Sequence, residues 1–129
     1  MPAMTVTDVG LNAYRDANKG TAAIKVLYLA LGDGSTALST GDTTLASEKW
    51  RKIATTYANG ASPGASVISV YVGPDEAVGV DISELGWFIG NATTLANSGT
   101  LLARALFTPH VKTNSESYTF QLDLSNIRG

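Results

Sequence analysis

The chain has 129 residues; 44% are hydrophobic, only 16% are charged, the formal net charge is −2 and there is no cysteine. This length fits one domain, residues 1–129, able to bury a core without metals or disulfides. The missing cysteine excludes disulfides, thiol chemistry and cysteine-bearing zinc sites, and the acidic balance argues against nucleic acid as a partner.

Thr7 to Asn18 is the best helix candidate. Thr7 can cap the first turn, Asp8 suits its positive end, and Gly20 can close the far end. Gly10 weakens the helix by about 1 kcal/mol relative to Ala. A β-domain over 24–124 is expected to follow, and 125–129 reads as a tail. Ile24 to Leu31 is the first strand. Leu27, Leu29 and Leu31 share one face, Val26, Tyr28 and Ala30 the other, so cover on both sides is expected. It is too short and too interrupted by Lys25 to span a bilayer. Met1 to Thr5 has no secretory pattern. Production in the cytoplasm without membrane insertion is therefore expected.

The sharp turn at Gly32-Asp33-Gly34 opens a long polar loop to Thr44. A loop of that length is usually functional or packed against something. A strand is expected over Trp50 to Tyr57, another over Ser66 to Val72, and a short extension at Val78 to Val80. Ile82 to Gly90 and Gly99 to Phe107 form a central pair, joined by the loop Asn91 to Ser98. Trp87 and Phe88 are adjacent, so they point to opposite faces, each needing cover from another sheet or another subunit. Thr108 to Ser115 reads as a connection. Tyr118, Phe120, Leu122 and Leu124 alternate with Thr119, Gln121 and Asp123, the mark of a half-buried strand. The expected fold is mainly β: an antiparallel β-sandwich or flattened barrel of about six strands with one N-terminal helix.

Few residues suggest chemistry. His110 is the only histidine, and no nucleophile-elbow pattern accompanies it. Solvent or an inter-subunit hydrogen bond is its expected partner. Asp75, Glu76, Asp81 and Glu84 are close in sequence, and paired carboxylates can serve glycoside hydrolysis. Glu84 lies in the apolar central strand and must be paired, hydrogen-bonded or neutral. A structural ion pair with Arg104 or Arg51 is expected. Glu48 and Arg51 stand three apart, a spacing that allows a helical pair. Asp33 between two glycines could contribute oxygen to a cation, but the EF-hand spacing is absent. Trp50, Tyr57, Tyr71 and Trp87 could stack on sugars. The competing reading puts aromatics in the core or at an interface, with Trp50, Trp87, Phe88 and Phe107 as the leading candidates. No cofactor and no catalytic residue is assigned.

Five segments follow one another in the chain: Thr7-Asp8-Val9-Gly10-Leu11, Ala30-Leu31-Gly32-Asp33-Gly34-Ser35-Thr36, Gly41 to Arg51 with Leu45, Glu48 and Arg51, Glu84-Leu85-Gly86-Trp87-Phe88, and Gly99-Thr100-Leu101-Leu102-Ala103-Arg104 with Phe107 to Lys112. In that order they resemble bacteriophage tail-fibre and related virion structural proteins. Trp87 departs from that pattern, which has a small aliphatic residue there. The resemblance implies a non-enzymatic virion component that self-associates, with a homotrimer favoured, and that docks on other virion proteins. A capsid decoration protein, or a tail module that binds a host-surface glycan, is the alternative.

Overall fold

A computed structural model describes residues 4–20, 25–61 and 65–124. The chain runs β1 (Met4–Val6), α1 (Asp8–Asn18), β2 (Val26–Gly32), β3 (Glu48–Ile53), β4 (Thr56–Asn59), β5 (Ser66–Val72), β6 (Asp81–Ile89), β7 (Thr100–Val111) and β8 (Tyr118–Leu124). The strands form two antiparallel sheets, in the orders β1-β7-β6-β2-β3 and β4-β5-β8. The fold is therefore mainly β with one N-terminal helix, as expected, and neither sheet closes into a barrel.

The helix starts where the sequence places its cap. The Thr7 hydroxyl accepts from the Gly10 N–H at 3.0 Å, Asp8 sits in the first turn and Arg15 in the last. Gly20 follows with φ 77°. Gly10 has a purpose beyond the helix. A Cβ there would stand 2.9 Å from the Leu102 carbonyl oxygen, so only glycine lets α1 lie this close to β7. Thr7 is fully buried. Its hydroxyl donates to the Leu101 carbonyl, and its N–H donates to that of Leu102 at 3.0 Å.

Some expectations need correction. The strand expected over Trp50 to Tyr57 is two strands in different sheets, parted at Ala54-Thr55. The extension at Val78 to Val80 is a turn, in which Ala77 and Gly79 take positive φ. Of the connection expected over Thr108 to Ser115, the part through Val111 is the end of β7, and the connection begins at Lys112. Ile82 pairs with His110 but Glu84 with Leu106, so Phe107, Thr108 and Pro109 together oppose Ser83. A bulge is one of the few places where a strand tolerates proline. Three residues, Met4–Val6, add a strand beside β7 that was not anticipated. The expected tail, 125–129, and Ile24 lie outside the described residues.

The main core lies between the sheets. Leu29 and Leu31 of β2, Leu85, Trp87 and Ile89 of β6 and Ala103 and Ala105 of β7 meet Ile68, Val70 and Val72 of β5 and Leu122 of β8. Trp50 and Phe107 are half-buried against this core, and Phe107 meets Phe120 edge-on at 6.2 Å. Trp87 is 1% exposed, and its indole N–H has no hydrogen-bond partner among the described residues.

The opposite face of the larger sheet carries Ala30, Phe88 and Leu101. Loop residues Leu45 and Ala92 close over them. Phe88 is 0% exposed, as are Leu29 and Leu31. Both faces of the central strands are thus covered within one chain: one by the second sheet, the other by loops 33–47 and 90–99. The expected cover by a second subunit is not needed there. Gly86 keeps this layer thin, since a Cβ would fall 2.7 Å from Leu45 Cδ2 and 2.9 Å from Leu101 Cδ1. If Leu45 is core rather than loop decoration, Leu45→Ala costs about 2–5 kcal/mol. Urea unfolding measures it, and a loss under about 0.5 kcal/mol contradicts the role of the loop as a covering layer.

Candidate functional site

Strand register builds the site. Glu84 and Gly86 share the loop-covered face of β6, and Gly86 is opposite Arg104 on β7. Glu84 and Arg104 are therefore diagonal neighbours on that face, within reach of long side chains. Both are buried, at 0% and 1% exposure. Arg104 Nε donates to Glu84 Oε1 at 3.0 Å. The same oxygen accepts from the Ala46 N–H at 2.9 Å. Oε2 accepts from Gly34 at 2.9 Å and Ser47 at 2.8 Å. Four donors thus occupy the four acceptor sites of one carboxylate. The guanidinium is equally committed: Nη1 reaches Asp42 Oδ2 at 3.1 Å, and Nη2 donates to the Thr36 carbonyl at 2.9 Å. Asp42 in turn accepts from the Ser39 N–H at 3.0 Å.

The geometry explains why glycine stands at both ends of the turn. A Cβ on Gly32 would lie 2.8 Å from Glu84 Oε2, and one on Gly34 would collide with the same oxygen and with Ala46 Cβ. Of the expected partners of Glu84, Arg104 is the right one and Arg51 is not. Arg51 pairs bidentately with Glu48, Nε to Oε2 at 2.6 Å and Nη2 to Oε1 at 2.8 Å. The two sit on a strand, where residues three apart normally face opposite ways. Leu31 pairs with Trp50 but Gly32 with Glu48, and the extra residue at this bulge shifts the alternation by one. Arg51 Nη1 donates to the Thr93 carbonyl at 2.8 Å and to Ser98 Oγ at 2.9 Å. Asn97 N–H donates to Glu48 Oε1 at 2.9 Å. The Arg51 guanidinium carbon lies 4.6 Å from the centre of the Phe88 ring, a cation–π arrangement. One ionic knot therefore ties down loop 33–47, and the other ties down loop 90–99.

The remaining candidates do not converge. Glu84 has no free lone pair with which to accept a proton from a substrate. Glu76 binds Lys52 at 2.8 Å. That ammonium, with the Gly73 N–H, holds its carboxyl below the usual range. Asp33 is exposed, and the described residues contain no group of three acidic or histidine side chains able to hold a metal. The four aromatics do not make a platform. Trp87 is buried and Trp50 half-buried. Tyr57 stands opposite the core residue Ile68, whereas Tyr71, three residues further along β5, faces the other side of that sheet.

His110 finds its partner within the chain. Its Nε2 lies 2.7 Å from Glu116 Oε2, which also accepts from the Tyr118 hydroxyl at 3.1 Å, while Oε1 accepts from the Thr113 N–H at 2.8 Å. The Thr113 N–H and then His110 hold the Glu116 carboxyl down from 4.5 to about 2.

Comparison of the chain with protein-family models, with curated proteins and with solved structures found no match.

Two outcomes check this geometry. In Glu84→Gln the new amide nitrogen faces donors whichever way it turns, and Arg104 loses its buried counter-charge. Chemical denaturation should show a loss of about 3–5 kcal/mol; a loss below about 1 kcal/mol contradicts the network. A carboxyl lowered in the folded state stabilises above its unfolded value and loses that effect as pH falls through its folded value. The Glu116 contribution is therefore complete above about 4.5 and fades toward about 2. Glu116→Gln should flatten the dependence of the unfolding midpoint on pH in that window; superimposable wild-type and variant profiles refute it.

Proposed function

We propose that this chain is a non-enzymatic, self-associating structural component of a bacteriophage virion, in its tail, its tail fibre or its outer surface. One observation carries the reading. Gly32 and Gly34, Asp42, Glu84 and Arg104 come from four segments of the tail-fibre-like series, and all five meet around one network. Those residues hold a long loop against a sheet. A motif series whose charged members are spent on one another and on loop backbone fits a structural protein better than an enzyme, in which some would be held free for a substrate.

Self-association has a narrower basis than the apolar central strands, which the chain covers by itself. Its support is the low charge and a set of exposed apolar side chains, among them Val6 at 43% and Leu11 at 55%. Mass spectrometry of purified particles from cells that carry this sequence should find the chain at a fixed ratio to the other virion proteins. Recovery only from the particle-free fraction overturns the virion assignment. Light scattering should show more than one copy per particle in solution.

A further inference from the structure

Among the described residues, four strands stand at the ends of the two sheets: β1, β3, β4 and β8. Open edges offer unpaired backbone groups to any other strand, and proteins blunt them with short length, bulges, lysine or proline. β1 has three residues and β4 has four. β3 carries Lys49, Arg51 and Lys52 and a bulge. β8 has none of these devices. It runs seven residues in unbroken register with β5, and its only charge is Asp123.

The edge is also self-complementary. Tyr118, Phe120, Leu122 and Leu124 face the core side, while Thr119, Gln121 and Asp123 are exposed. This pattern reads the same in both directions about Gln121. Antiparallel pairing with a copy across a two-fold axis at Gln121 keeps every apolar residue on one face. It sets Asp123 opposite Thr119, so no like charges meet, and sets Gln121 opposite itself. Beside β8 the sandwich is open. A groove of about 680 Å3 runs between β8 and the β1–α1 segment, lined by Met4, Val6, Leu11, Tyr14, Leu122 and Leu124 among others. In that register the partner's Phe120 stands opposite Leu122 and the partner's Tyr118 opposite Leu124, which brings two aromatic rings over the groove.

We propose that β8 is the self-association surface: two copies pair edge to edge through Tyr118–Leu124 into a continuous six-stranded sheet, and each fills the other's groove. This deepens the self-association reading and rests on it. An isologous contact of this kind makes two-fold pairs, in place of the trimer implied by the resemblance.

The chain has no native cysteine, so Gln121→Cys tests the axis directly. Under mild oxidation it should cross-link to a covalent dimer, whereas Ser69→Cys, on the neighbouring β5, should not. Thr119 gives a second test from one exposed position. Thr119→Asp places a carboxylate against Asp123 of the partner subunit twice per dimer, and Thr119→Lys places an ammonium there. In sedimentation velocity at low salt, the first should weaken association about 2- to 30-fold and the second should strengthen it. If the wild-type chain self-associates but Gln121→Cys does not cross-link and both Thr119 variants behave like wild type, the β8 surface is wrong and self-association stands. A wild-type chain that stays monomeric at high concentration, with no cross-link, removes both.

Discussion

The structure depends on one buried carboxylate. Glu84 lies on the central strand of the larger sheet, where burial of a lone charge would be prohibitive. It is tolerated because its two oxygens accept four hydrogen bonds, one from Arg104 and three from backbone N–H groups of the loop after β2. The exchange is reciprocal. The loop supplies the donors that neutralise the cost of burial, and the carboxylate gives the loop a fixed anchor. Arg104 extends the anchor outward to Asp42 and the Thr36 carbonyl. A polar segment of fifteen residues, 33–47, with no regular structure of its own, becomes a lid that seals Phe88 and Leu101 from water.

This arrangement changes the meaning of the central strands. Two-sided apolar strands require a second cover; the residues suggest another sheet or another subunit, and here loops provide it. Loops normally stay out of the interior because their backbone groups go unsatisfied there. Here two ionic knots satisfy those groups. Glu84–Arg104 holds one loop and Glu48–Arg51 the other, with Arg51 also lying on the Phe88 ring. Charge placed inside the chain takes over a task that an apolar contact with a neighbour would otherwise perform. It also withdraws charged side chains from an exterior that has few of them.

Much of the fold is legible in the residues. Thr7, Asp8 and Gly20 mark the helix, and alternation in Tyr118–Leu124 marks the last strand together with its wet face. Glu84 and Arg104 are legible as a pair, because a carboxylate in an apolar run needs a partner and the adjacent strand offers one. Several of the failures fall at bulges. Alternation assumes one residue per step; an inserted residue inverts it. The bulge between Leu31 and Gly32 turns Glu48 toward Arg51, and so draws Arg51 away from Glu84. The bulge opposite Ser83 absorbs Pro109, which otherwise signals the end of a strand. β1 escapes for a different reason. Three residues carry too little periodicity, and their place is fixed by the register with Ala103–Ala105.

The same bulges bear on how the surface divides its labour. A bulge twists a strand and spoils it as a template, and the larger sheet has bulges on β2, β3 and β7. The smaller sheet has none: β4–β5 and β5–β8 keep continuous register throughout. One sheet is distorted to receive loops and close upon itself. The other stays regular, with its longer open edge next to an apolar groove. Irregularity thus falls where the chain completes its own core with loops, and regularity where an edge is left open, which is the distribution that the proposed pairing through β8 would use.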